Sequence, residues 1–72
     1  MTKIEQIFRD ESGFLNCILH CNSISYAKSI VARYLISLRM HDPMSEMIPQ
    51  GNRLIIRTRS ESLMNLAMRS IL

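Results

Sequence analysis

The sequence predicts an α+β fold: a three-stranded antiparallel sheet with two helices on one face, in the order β-α-β-β-α. Three observations carry this expectation. Residues 14–21 alternate in polarity with the period of a strand. Residues 27–38 repeat apolar positions with the period of a helix. A turn at Gly51-Asn52 joins two short strand-like runs, and a serine-capped apolar helix follows at once.

Each element has its own local reason. In residues 1–12, Ile4, Ile7 and Phe8 fit either one short helical turn or an added strand end, so 1–13 reads as an N-terminal extension to a domain of 14–72. Asp10-Glu11-Ser12-Gly13 reads as a turn. From Phe14 to Cys21, Leu15, Cys17, Leu19 and Cys21 share one face, while Phe14, Asn16, Ile18 and His20 share the other. That second face is not wholly polar, which suits contact with another sheet or subunit. Asn22-Ser23-Ile24-Ser25 supplies oxygens to cap a helix. Ala27, Ile30, Val31, Tyr34, Leu35 and Leu38 then form its apolar stripe, with Lys28, Ser29 and Arg33 outside.

Arg39 to Ser45 reads as the loop out of that helix, and Glu46 to Pro49 as a short strand. Pro49 has no N–H to give a ladder, so this strand belongs at an edge or ends there. After the turn, Leu54, Ile56 and Thr58 face one way, and Arg53, Ile55, Arg57 and Arg59 the other. Ser60 or Ser62 caps the last helix. Its stripe of Leu63, Met64, Ala67, Met68 and Ile71, widened by Leu66 and Leu72, exceeds what packing on one sheet requires.

The totals set limits. Seventy-two residues make one domain with a modest core, a size that usually leans on a disulfide, a metal or a partner. An apolar content of 47% is that of a globular chain. The longest unbroken apolar run is three residues, so no segment spans a membrane. The N-terminus lacks the apolar core of a signal peptide, and a cytoplasmic location is expected. Cys17 and Cys21 would stand about 13 Å apart on a strand, too far for a disulfide.

The chemistry expected is that of binding. Cys17, His20, Cys21 and His41 resemble a zinc set only if the segment is helical; on a strand His20 points away from the cysteines, so no metal site is expected. No signature links the serines, cysteines and histidines into a nucleophilic site, and two glycines make no phosphate-cradling loop. No catalytic residue and no cofactor are expected. Arg53, Arg57 and Arg59 on one strand face are candidates for tracking a nucleic-acid backbone, because alternate strand residues are spaced about 7 Å apart, close to the phosphate spacing. The competing reading is a solvated face that guards against aggregation. No aromatic residue lies among these arginines, so stacking on single-stranded bases is not expected. Met64 and Met68 suit either core or an adaptable docking surface.

Three segments are similar to one family. Tyr26-Ala27-Lys28-Ser29-Ile30-Val31-Ala32-Arg33-Tyr34-Leu35, Gly51-Asn52-Arg53-Leu54-Ile55-Ile56, and Met64 through Arg69-Ser70-Ile71-Leu72 resemble the first helix, hairpin strand and second helix of the Pcc-type small subunit of the KEOPS complex. Met64-Asn65 stands where the family usually has Leu-Arg, and the second helix ends two or three turns early. These departures suit a diverged paralogue that pairs with a standard Pcc-type chain.

The resemblance implies a non-catalytic, dimerising accessory subunit of the assembly that makes threonylcarbamoyladenosine at position 37 of tRNA. Its expected partners are the KEOPS catalytic subunit or another Pcc-type chain, as homodimer or heterodimer, with tRNA contact. On that expectation Phe14, Ile18 and Ile55 serve the dimer interface; Met64, Met68 and Leu72 dock a partner helix; and Arg53, Arg57 and Arg59 meet tRNA. The alternatives are a stand-alone α+β nucleic-acid-binding module and a homo-oligomeric interaction protein.

Overall fold

The computed structural model describes residues 2–72. The elements are β1 (Lys3–Arg9), β2 (Leu15–His20), α1 (Ile24–His41), β3 (Glu46–Gln50), β4 (Arg53–Thr58) and α2 (Glu61–Ile71). The class is α+β as expected, but the sheet has four strands in the spatial order β1-β2-β4-β3. The stretch read as an extension contributes an edge strand. All three pairings are antiparallel.

A bulge explains why the spacing of Ile4, Ile7 and Phe8 fits a helical turn as well as the strand end that the structure shows. Lys3 and Ile4 pair with His20 and Leu19, while Gln6 and Ile7 pair with Ile18 and Cys17, so Glu5 is the extra residue. Ile4 and Ile7 therefore share a face although three positions apart. That spacing mimics a helix in the bare sequence.

Alternation in the two central strands sets the core. Cys17 pairs with Ile56 and Leu19 with Leu54, and all four side chains are fully buried beneath the helices. Met47 joins them from β3, Ala27, Ile30 and Leu38 from α1, and Met64 and Ile71 from α2. The helices cover the β2, β4 and β3 side of this face; β1 is exposed along its whole length.

Short polar contacts close the ends. Ser23 caps α1 by accepting from the Tyr26 N–H, and Ser60 caps α2 by accepting from the Leu63 N–H. Helix α1 runs to His41, into the stretch expected to be loop, and Asp42 ends it. The Asp42 carboxylate then accepts from the Thr58 hydroxyl and the Arg59 N–H, both at 3.1 Å, pinning the helix end to β4. These bonds, the Arg59 N–H foremost, hold its pKa below the usual carboxylate value. Gly51 takes φ +62° in the β3–β4 turn; a Cβ there would meet nothing, so the backbone angle alone favours glycine.

Cys17 and Cys21 are free, buried thiols, and burial raises the pKa of both, that of Cys17 to about 11. At pH 8 the Cys17 thiol is protonated and covered, and the thiolate is the reactive form. Cys17 is expected to alkylate with iodoacetamide orders of magnitude more slowly in the folded chain than in urea, as followed by mass spectrometry. Equal rates would contradict this packing.

Candidate interaction faces of the sheet and helices

The sheet face away from the helices is arranged in rows across the strands. One row holds Phe8, Asn16, Arg57 and Glu46; the next holds Gln6, Ile18, Ile55 and Ile48; the last holds Lys3, His20, Arg53 and Gln50. Ile18, Ile55 and Ile48 are half-buried, forming an apolar ladder between two polar rows.

The polar rows are internally compensated. The bulge turns Glu5 onto this face, where its carboxylate accepts from Arg53 Nε at 2.9 Å and lies 3.2 Å from His20 Nδ1. The Arg53 hydrogen bond lowers the Glu5 pKa. At the opposite end Asp10 accepts from the N–H groups of Ser12 and Phe14, from Asn16 Nδ2, and from Arg57 Nη2 at 2.8 Å. Arg57 Nη1 also lies 3.5 Å from Glu46. The Asn16 bond first, then Arg57 and the turn amides, hold the Asp10 pKa at about 2.

This arrangement changes the reading of the arginine row. Arg53 and Arg57 do share the face, but carboxylates from β1, its turn and β3 engage both. Arg59 makes no ion pair among the described residues. Its guanidinium and that of Arg57 instead lie over the Phe14 ring, at 5.1 and 4.5 Å from the centroid. Phe14, expected at a dimer interface, is thus covered by its own chain and only 7% exposed. Of the three expected interface residues, Ile18 and Ile55 remain on the open face.

The helix side separates the expected docking residues. Met64 is 1% exposed and belongs to the core, so it offers a partner no surface. Met68 is half-buried, its sulfur 3.6 Å from Cys17 Sγ. Leu72 is 57% exposed, as is Leu66 to a similar degree. Leu66 also borders an open groove of ≈ 230 Å³ between α1 and α2, floored by Leu38, Met47, Leu63 and Ala67. The groove is bridged higher up by the Tyr34 hydroxyl donating to the Ser70 carbonyl at 3.2 Å.

The outer edge of β1 was not foreseen from the sequence. Asp10 N–H donates to the Phe14 carbonyl at 2.9 Å, fixing the phase of the ladder. By two-residue alternation Gln6 and Phe8 turn their amides toward β2, and Ile7 and Arg9 turn theirs outward. The edge also exposes Ile4, Ile7 and Phe8. The other edge, β3, carries Pro49 and so lacks one donor. Ile4-x-x-Ile7 followed by a turn was the available signal, once a bulge is admitted.

His20 and Cys17 lie on opposite faces of β2, and among the described residues no cluster of three His, Cys, Asp or Glu is set to hold a metal ion. Among them, too, no helix is long and apolar enough to cross a membrane. Compared with protein-family models, curated proteins and solved structures, the chain matches none.

Asp10 links the turn to both central strands, so its titration reports on them. Its folded pKa of about 2 lies below the ordinary 3.8. Its stabilising contribution is therefore complete above about pH 4 and is lost as the pH falls through 2. Asp10→Asn is expected to remove much of the loss of stability over that window, measured by urea denaturation at stepped pH. An unchanged acid limb would contradict the role given to Asp10.

Proposed function

We propose that the chain is a non-catalytic accessory subunit that works by pairing with a second protein chain. We further propose that the assembly is the KEOPS complex, whose Pcc-type subunit its sequence resembles, and which modifies tRNA adenosine 37. The observation that carries the pairing reading is the β1 edge: outward amides at Ile7 and Arg9 beside exposed Ile4, Ile7 and Phe8. Such an edge accepts a strand from another chain through main-chain hydrogen bonds, with the apolar side chains adding affinity. The half-buried Ile18–Ile55–Ile48 ladder and exposed Leu72 extend the surface available to the same assembly. Both a second copy and a different Pcc-type chain fit this edge. Within this reading, direct tRNA contact rests on Arg59, because carboxylates already engage Arg53 and Arg57.

Tagged chain recovered from its native cell, with co-purifying proteins identified by mass spectrometry, tests the assembly. Recovery of the KEOPS catalytic subunit or a Pcc-type chain is the expected result; recovery of neither overturns the KEOPS assignment. Ile7→Pro removes an outward N–H without taking a bond from the β1–β2 ladder, and Ile7→Lys leaves the N–H but adds charge. Both are expected to reduce pairing at least tenfold, by light scattering on a sizing column, with circular dichroism unchanged. Pairing that survives both variants would place the interface elsewhere.

A further inference from the structure

The arginine row on β4 runs straight into a pair of serines. Residues 57–63 read Arg-Thr-Arg-Ser-Glu-Ser-Leu. Ser62 thus has arginine five and three residues before it and leucine directly after it, and no other serine or threonine of the sequence has both arginines. In an extended segment Arg57 and Arg59 stand on one side, spaced about 7 Å apart. Guanidinium groups so placed suit a cleft lined with carboxylates, which grips each through paired N–H···O bonds. Serine kinases that select arginine ahead of the acceptor use clefts of this kind, and charge pattern is how they discriminate among substrates.

The structure singles out Ser62 among the hydroxyls of this segment. Thr58 is fully buried, its hydroxyl bonded to Asp42 and Ser45. Ser60 is half-buried, and its oxygen caps α2 by accepting from the Leu63 N–H. Ser62 is exposed on the first turn of α2, its hydroxyl 3.0 Å from that of Ser60. Arg59 is also exposed and stands just past the end of β4. A first helical turn opens more readily than a core element, so residues 60–63 can extend into a cleft while Arg57 stays in its ladder. Beside Ser62 lies an open hollow of ≈ 420 Å³, lined by His41, Asp42, Arg59, Ser60 and Leu63. His41 Nδ1 lies 3.0 Å from the Ser37 carbonyl, which can only accept, so that nitrogen carries the proton and Nε2 is left for another partner.

We propose that Ser62 is a phosphorylation site for an arginine-directed serine kinase. The Ser62 Oγ attacks the γ-phosphorus of ATP. The new O–P bond forms as the bond to the bridging oxygen breaks, ADP leaves, and the hydroxyl proton passes to a carboxylate of the kinase. The added group carries about 1.5–2 negative charges at neutral pH, which takes the chain from a formal +3 to about +1. The hollow between the end of α1 and the start of α2 has room for it. Arg59 and a protonated His41 attract the group there, and the first turn of a helix favours negative charge. Glu61 and Asp42 oppose it, but the Asp42 carboxylate is already engaged by the Met44 and Arg59 N–H groups and the Thr58 hydroxyl. The reaction requires neither a second copy nor an assembly, so it stands apart from the pairing proposed for β1.

The test treats the folded full chain with ATP, magnesium and the catalytic domain of an arginine-directed serine kinase, and locates the phosphate by tandem mass spectrometry. One phosphate on Ser62 is the expected result. Ser62→Ala is expected to abolish it, and Arg59→Ala to slow the transfer at least tenfold. Both side chains are exposed, so circular dichroism should not change. Arg59→Lys keeps the charge but loses the paired N–H geometry, and is expected to recover part of the rate. Ile7→Lys is expected to be phosphorylated as fast as the unaltered chain, which separates failure here from failure of the β1 pairing. The chain recovered from its native cell with phosphatases inhibited is expected to carry phosphate on the same residue. No transfer to the folded chain, phosphate on Thr58 or Ser60 in place of Ser62, a rate indifferent to Arg59→Ala, or an unmodified Ser62 in the chain from the cell would overturn the proposal.

Discussion

The Asp10 carboxylate is the point on which the sheet's open face depends. Four donors converge on it: two amides of its own turn, the Asn16 side chain from β2 and the Arg57 guanidinium from β4. One side chain thus closes the β1–β2 turn, fixes its register, and ties the hairpin to the far central strand. It also neutralises the arginine that, in the bare sequence, looked free to meet a phosphate. Without that carboxylate, Arg57 would be partly covered beside Phe14 with Glu46 as its remaining acidic neighbour. The opposite end of the face repeats the logic with Glu5, delivered by the bulge to His20 and Arg53.

This distribution separates the faces by their electrostatics. The sheet face presents paired charges around an isoleucine ladder, and such pairs on a partly solvated surface contribute modestly to stability while fixing geometry. The net excess of positive charge is carried instead by α1, whose Lys28, Arg33 and Arg39 have no acidic residue on the same helix. The β1 edge adds a third kind of surface, one whose attraction is main-chain hydrogen bonding. For a 72-residue chain with a modest core, surfaces of these kinds are where added stability is available through association.

Much of this was legible in the residues. Alternation located β2 and β4 and assigned their buried faces, because a strand's period of two sends Leu15, Cys17 and Leu19, and Leu54, Ile56 and Thr58, each to one side. The stripe from Ala27 to Leu38 located α1, and the stretch 22–25 and the pair Ser60 and Ser62 marked where the helices start, with Ser23 and Ser60 the caps in the structure. What was not legible has physical causes. The bulge at Glu5 broke the alternation of β1, so a strand looked like an extension. Glu5 and Asp10, which accept from Arg53 and Arg57, lie 48 and 47 residues away along the chain, and no local pattern announces such a pairing. The width of the α2 stripe showed a surplus of apolar side chains. Only the packing decided that Met64 goes inside while Leu66 and Leu72 stay out.

The central claim is that β1 is an integral strand whose outer edge is open to a second chain. Amide hydrogen exchange, resolved by residue and followed over a range of protein concentrations, tests it most directly. The account predicts that Gln6 and Phe8 are protected at every concentration. Ile7 and Arg9 should exchange freely in dilute chain and become protected as chains pair or when the partner is added. Rapid exchange at all four positions would mean that β1 is not part of the sheet. Protection of Ile7 and Arg9 in the dilute monomer would mean that the edge is already covered.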